Sequence, residues 1–496
     1  MNQFNLTGIN HPGRSVFDLS YRKKLTCDMG QLIPVMCDEV VPGDHFKIST
    51  EMLIRFQPMV APIMHEVNAF VHYFFVPYRL LWSSWEDWIT GGADGQFSGT
   101  LPRWTPTNNA VGSLWDYLGF PTGVNPTGAL PIDFPRSAYN FIYNEYYRDE
   151  NLIAEVALTN ENILKRAWEK DYFTSALPWQ QRGIAPALPI SGTTSAVWAA
   201  ANFGAASGMT QNPNFIGVPS AASNQILAYD ATQQAKLSAV FNNNTVNLSS
   251  ATTFNVADLR LAFQIQRWME RNARAGARYT EFLNAHFGVS PRDDRLQRPE
   301  YIGGMRSPVV VSEVLKTSSD GSTPQANMAG HGITGDRQYA GDYKATEFGL
   351  IMGIMSIMPR SAYQQGIDRQ WLRSTKYDFY FPEFANLSEQ AIQRAEIYAT
   401  GVQAENQTVF GYQGRYDEMR VKRDLVCGQM RSTFAYWHLG RIFGSAPLLN
   451  KSFVECVPDK RIFAVQTDPG LIVHVGNIIR ATRPLPIMSQ PGMIDH

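Results

Sequence analysis

Eleven residues, 46–56, alternate without a break. The even positions are Phe46, Ile48, Thr50, Met52, Ile54 and Phe56, and the odd ones are Lys47, Ser49, Glu51, Leu53 and Arg55. Period two over that length describes a β-strand with one face in a core and the other against something polar. A second run, Val67, Ala69, Val71, Tyr73 and Phe75, repeats the pattern, but its opposite face turns apolar at Phe70 and Phe74. That strand ends with both faces covered. The connection between them carries Pro58 and Pro62 and is no central strand. Val41-Pro42-Gly43-Asp44 reads as a turn, with proline presetting φ and glycine free to take positive φ. Residues 84–88 read as a short helix ending at Gly91-Gly92.

A chain of 496 residues has room for two or three domains, or for one domain with large insertions. Aromatic content of 12% is high, and aromatics concentrate where large surfaces pack or associate. A net charge of −1 excludes a bulk polycation, so any contact with nucleic acid runs through local patches. The first residues carry neither the basic region nor the apolar run of a secretory signal. The most apolar window, residues 350–358, is about half the ~18 residues of a membrane span, so no membrane insertion is expected. Cys27, Cys37, Cys427 and Cys456 show no CxxC spacing and read as buried thiols.

Along the chain, residues 1–26 form an extended arm made basic by Arg14, Arg22, Lys23 and Lys24, which are the candidate DNA contacts. A solvated tail or a chain-to-chain strap is the plainer reading of the same arm. Residues 27–182 begin the core and include loops, a helical turn at 113–118 and a helix at 137–148 with a core-facing aromatic stripe. Residues 183–257 are the sharpest break in composition, with Asp230 and Lys236 the only charges. Disordered tracts usually carry high net charge, so this segment reads as an insertion ordered by self-association. Trp198, Phe203, Phe215 and Phe241 are its candidate apolar contacts.

Residues 258–496 hold helical insertions and the rest of the core. A helix runs to about Asn272, and Arg267, Arg271, Arg274 and Arg278 fall at spacings of four, three and four, on one helical face. With Glu270 and Glu281 close by, that stripe reads as ion pairs between elements or subunits ahead of a DNA-facing surface. Residues 318–343 read as Gly-rich loop, 347–358 as a buried strand and 387–399 as a helix. Residues 425–434, 452–457, 461–465 and 471–481 read as strands. Strands at both ends, with helices and irregular chain between, suit an antiparallel barrel or sandwich with greatly extended loops.

No catalytic constellation emerges. His65-Glu66 lacks the second histidine of HExxH, and neither GxSxG nor a strand-borne GxGxxG occurs. The segment 331–336 lacks the GxxxxGK[ST] phosphate loop, and Asp38 and Glu39 adjoin a turn, where such residues are solvated. No cofactor or metal is expected.

Several ordered blocks carry a resemblance. They are FFVPYRLLW at 74–82, SALPWQQRG at 175–183, LRLAFQIQRWMERNARAGARYTEFLNAHFGV at 259–289 and RLQRPEYIGG at 295–304, followed by SAYQQGIDRQWLRSTKYDFYFPE within 347–387, GYQGRYDEMR at 411–420 and ATRPLPIMSQPGMIDH at 481–496. Together they resemble the major capsid protein of the Microviridae, the small icosahedral single-stranded-DNA phages, in the gokushovirus branch. The resemblance implies a mainly β fold, an eight-stranded antiparallel jelly roll with long, partly helical insertions. It further implies sixty copies closing a T=1 shell around circular single-stranded DNA. In that branch an insertion forms three-fold protrusions, and residues 183–257 sit where it belongs. The implied partners are the chain itself, packaged DNA, a small basic DNA-binding protein, a scaffolding protein, a pilot protein and a host receptor. The implied location is the virion, assembled in the bacterial cytoplasm. The competing reading is a soluble jelly-roll enzyme or carbohydrate-binding protein, and a sequence-specific DNA-binding protein is disfavoured by the missing basic face.

Overall fold

A computed structural model describes residues 13–186, 256–315 and 328–488. The chain divides into two compact units, one of residues 1–182 and 270–496, the other of residues 183–269.

Two antiparallel sheets form the first unit's core. The strands are β1 (Ser15–Asp18), β2 (Tyr21–Cys27), β3 (Ile33–Val40), β4 (His45–Phe56), β5 (Val67–Pro77), β6 (Glu300–Pro308), β7 (Val310–Leu315), β8 (Met328–Lys344) and β9 (Gly349–Pro359). Short strands β10 (Ala362–Tyr363), β11 (Glu389–Gln393), β12 (Val409–Gly414) and β13 (Asp424–Leu425) lie in an insertion before β14 (Leu471–Arg483). One sheet runs β1-β14-β4-β8-β7 with β2 also on β14, and the other runs β3-β9-β5-β6. The interleaved orders β2-β14-β4-β8 and β3-β9-β5-β6 are those of a double-sheet jelly roll. The mainly β, antiparallel architecture with helical insertions is as expected. β1 and β7 extend the first sheet beyond the jelly-roll pattern.

The alternation explains the core. Phe46, Ile48, Met52, Ile54 and Phe56 of β4 are buried against Tyr73 and Phe75 of β5, Ile351 and Met355 of β9, and Leu471, Val473 and Val475 of β14. Thr50, the one polar residue on that face, lies 2.7 Å from the Tyr73 hydroxyl, and Asn477 donates to the Val35 carbonyl at 2.9 Å. Buried polar groups are thus paired, as a low-dielectric interior requires.

The four-stranded sheet is covered on its other face too. Phe74, Leu350, Met352 and Ile354 pack with Trp104, Trp115, Tyr139 and Tyr143. That layer includes the helix Phe134–Ile142 and the π-helical turn Tyr143–Tyr147 that continues it. Two covered faces are why β9 is buried throughout and β5 loses its alternation.

Several expectations are corrected. Within 318–343, residues from Met328 onward are not loop but the long strand β8. Three of its glycines, Gly330, Gly332 and Gly341, sit where chain approaches closely. A Cβ on Gly330 would lie 2.5 Å from the Ala61 carbonyl oxygen, and one on Gly332 2.8 Å from the Phe56 ring. Residues 387–399 are not a helix, because β11 pairs with β12 and a 3₁₀ turn, Arg394–Glu396, follows. Sheet hydrogen bonding outweighs the helical spacing of Ile392 and Ala395. In the last quarter, 425–434 gives only the second residue of β13, Leu425, and a 3₁₀ turn, Gly428–Arg431. Residues 452–457 begin in a short helix, Lys451–Val454, whose Phe453 N–H is capped by the Asn450 side chain. Residues 461–465 contribute one bridge, Met59 to Phe463. Cys427 is exposed, not buried. No helix among the described residues is long and apolar enough to cross a membrane.

Of the second unit, residues 183–186 and 256–269 are described, the latter as part of the helix Val256–Ala275. Trp198, Phe203, Phe215 and Phe241 lie outside the described residues.

Candidate nucleic-acid surface

The outer face of the six-stranded sheet is the open one. In β2 the alternation turns Arg22, Lys24 and Thr26 outward, and Leu25 and Cys27 toward the core. Register then sets each outward residue beside a distant part of the chain. Lys24 lies opposite His474 and, one strand on, Leu53. Thr26 lies opposite Ile472, beside Arg55, and Arg22 lies opposite Gly476, beside Glu51 and then Arg337. A further row holds Asp18, Arg480, Lys47 and Asp342. The face thus carries Arg22, Lys24, Lys47, Arg55, Arg337, Lys344 and Arg480 against Asp18, Glu51 and Asp342, all exposed. A recess of about 510 Å³ lies over it, with Lys24, Arg55, His474, Leu53 and Ile472 in its lining.

Of the four cations singled out in the arm, only Arg22 and Lys24 share this surface. Arg14 precedes β1 and reaches the turn at Gly43. Lys23 points the other way and donates to the carbonyls of Pro34, at 2.9 Å, and Tyr117. Burial pulls its ammonium down from 10.5 to about 8. The unfolded chain binds this proton more tightly than the folded one, so stability rises with pH between those two values. Urea midpoints taken at pH 8 and again toward pH 10.5 are expected to show that rise, and Lys23→Met to remove its share. An equal rise in both proteins would rule Lys23 out as the source.

The arginine stripe does not persist as one face. Gly276, at φ 104°, ends the first helix, and Arg278 sits at the cap of the next, Tyr279–Phe287. Arg278 lies 3.3 Å from Glu281 and 3.9 Å from Glu150, and Arg274 is ion-paired with Glu389. Arg267 and Arg271 are exposed.

A second concavity, about 1060 Å³, is lined by His72, Tyr147, Arg166, Arg278, Arg298 and Tyr301 among others. Its cations are mostly ion-paired, with Arg298 2.7 Å from Asp293 and Arg278 on its two glutamates, while Arg166 stacks on the Phe70 ring. His72 Nδ1 lies 2.9 Å from the Tyr147 hydroxyl, and burial, with Arg166 near, holds its pKa down to about 4. A histidine neutral at physiological pH and paired with a tyrosine lines the wall. Among the described residues no group of three or more His, Cys, Asp or Glu is placed to hold a metal. Asp38 accepts from the Tyr21 hydroxyl at 3.1 Å, and burial raises its pKa, so it is less solvated than its place beside a turn implied.

Comparison with known proteins gives this arrangement its context. Residues 8–493 match the family described as "Capsid protein (F protein)". The chain is 33% identical to Capsid protein VP1 of Chlamydia phage 1, with 97% of this chain and 96% of that protein covered. It is 36% identical to Capsid protein VP1 of Bdellovibrio phage phiMH2K, over 90% and 88%. It is 29% identical to Capsid protein VP1 of Spiroplasma virus 4, over 99% and 98%. Neither an enzyme nor a carbohydrate-binding protein is among these relatives. The chain, an antiparallel β core with long insertions matched almost end to end by capsid proteins, belongs to the capsid protein (F protein) family and is a structural capsid protein.

Proposed function

We propose that sixty copies of this chain close a T=1 shell around circular single-stranded DNA, with the outer face of the six-stranded sheet turned toward the genome. The excess of cations over carboxylates on that face is the observation that supports this orientation. Phosphate attraction is sequence-independent and additive, and its salt dependence scales as about 0.7 per phosphate neutralised on single strands. A few contacts per subunit, repeated over the shell, suffice to hold a genome. The remaining DNA charge is offset by small cations or a separate basic protein. Scaffolding and pilot proteins complete the set of assembly partners, and residues 183–257 form the protrusion that meets the host receptor.

The test is the triple charge reversal Arg22→Glu, Lys24→Glu and Arg55→Glu. Shells are expected to form at wild-type yield while packaged DNA per particle falls several-fold. Particles with full genome content would sink this orientation. Lys23 is left out of the triple because its amine is committed to backbone carbonyls.

A further inference from the structure

The insertion between β10 and β11 holds a run of aromatic side chains in water. Trp371 is 76% exposed, Tyr377 56%, Phe379 52%, Tyr380 49% and Phe381 43%. They are pinned by the surrounding chain. The Asp378 carboxylate accepts from the backbone N–H groups of Ser374 at 3.0 Å and Thr375 at 2.7 Å. Arg415 donates to the Tyr377 carbonyl at 3.0 Å, and the Tyr416 hydroxyl donates to the Phe379 carbonyl at 2.9 Å. Tyr416 itself is buried in the left-handed region at φ 64°, a conformation that persists only where its surroundings enforce it.

Three of the five exposed rings, Tyr377, Tyr380 and Phe381, are joined through Phe384, Arg415 and Tyr416, while Phe379 lies under the Arg373 guanidinium at 5.1 Å. Phe384 lies 6.1 Å from Tyr377 and 6.0 Å from Phe381, Arg415 stacks on both Phe384 and Tyr416, and Tyr380 lies 5.1 Å from Tyr416. At about 200 Å² per aromatic side chain, five such rings roughly half exposed present on the order of 500 Å². One partner's share of a standard protein interface is about 800 Å². A pinned aromatic patch of that size is an interface core awaiting its cover.

We infer that the loop of residues 371–384 is a subunit–subunit contact, covered in the shell by a second copy of this chain. The inference rests on the shell reading and adds the surface that performs it. Charge argues for protein over DNA as the occupant. Arg369 is 2.8 Å from Glu396 and Arg373 3.7 Å from Glu418, and Asp378 and Glu383 lie in the loop itself. Lys376 is exposed, but its ammonium lies 5.1 Å over the Tyr377 ring. The patch therefore lacks the surplus of cations that single-stranded DNA binding uses, whereas the outer sheet face has one.

The test compares wild-type chain with the double variant Trp371→Glu and Phe381→Glu, both expressed for assembly. Wild type is expected to sediment as shells. The variant is expected to stay as soluble subunits or small oligomers with the wild-type urea midpoint, its shell yield down at least tenfold. Variant shells at wild-type yield would overturn the inference, as would variant shells that form normally but lose DNA. Should the double variant fail to fold, hydrogen exchange on wild-type protein decides. Amides of residues 371–384 are expected to be more protected in shells than in dissociated subunits, and equal protection would overturn the inference. Wild-type chain that never passes a small oligomer, even when expressed together with its scaffolding protein, would refute the shell reading instead.

Discussion

Gly303→Ala is expected to cost more than about 3 kcal/mol and to cut soluble yield sharply, while Gly335→Ala stays within about 0.5 kcal/mol of wild type. A Cβ on Gly303 would lie 2.0 Å from the carbonyl oxygen of Ala340 and 3.1 Å from its carbon. Gly341 answers from the other strand, with its Cβ position 2.9 Å from the Ile302 carbonyl oxygen. β6 and β8 belong to different sheets, so this is where the two layers meet at a corner. The blocking atoms are backbone, and no side chain can swing aside. Around Gly335 the nearest atom is the tip of Leu53 at 3.9 Å, an ordinary contact. Urea midpoints of the two variants check the contrast. A Gly303→Ala protein with the wild-type midpoint would mean that the corner opens without cost.

Asp44→Ala is the second large effect, expected at about 2–3 kcal/mol. The Asp44 carboxylate is buried in the turn before β4 and accepts from Arg483, at the end of β14, at 2.9 Å from Nη2 and 3.1 Å from Nε. It also accepts from the backbone N–H of Val41 at 3.0 Å. Removing it strands a half-buried guanidinium and an amide together, and an unpaired group costs more than its bond was worth. The figure sits below the range for fully buried pairs because Arg483 keeps 23% of its side chain in water. Arg483→Met removes the guanidinium, which lies 5.7 Å over the Phe46 ring, together with its charge and leaves Asp44 no cation to pair with, so the double variant is expected to lose less than the two singles together. Strict additivity in urea melts would show that the two groups act separately.

Much of the framework could be read directly. β4, β5, β9 and β14 announce themselves by apolar residues at alternate positions or by unbroken apolar runs, signals that need no partner to interpret. The aromatic stripe from Tyr139 to Tyr147 is core for the same reason, since its spacing alone makes a face. β8 was hidden because its glycines answer to Ala61, Phe56 and Ile302, residues far away in the chain, and not to their own neighbours. The weak helical spacing of residues 387–399 says nothing of β12, which supplies the hydrogen bonds that make the segment a strand.

The basic surface shows the same division. Composition indicates a near-neutral chain, and the arm offers Arg22, Lys23 and Lys24 as one cluster. Pleating splits that cluster, sending Lys23 inward and its two neighbours outward. What joins Lys24 to Arg55, Lys47 and Arg480 is sheet pairing, which sets strands about 4.8 Å apart however many residues separate them along the chain. Local periodicity thus determined which strands have an inside, and the ordered blocks determined the family. Which cations meet on one face was decided by register alone, because a hydrogen-bonded ladder makes neighbours of residues that no local pattern connects.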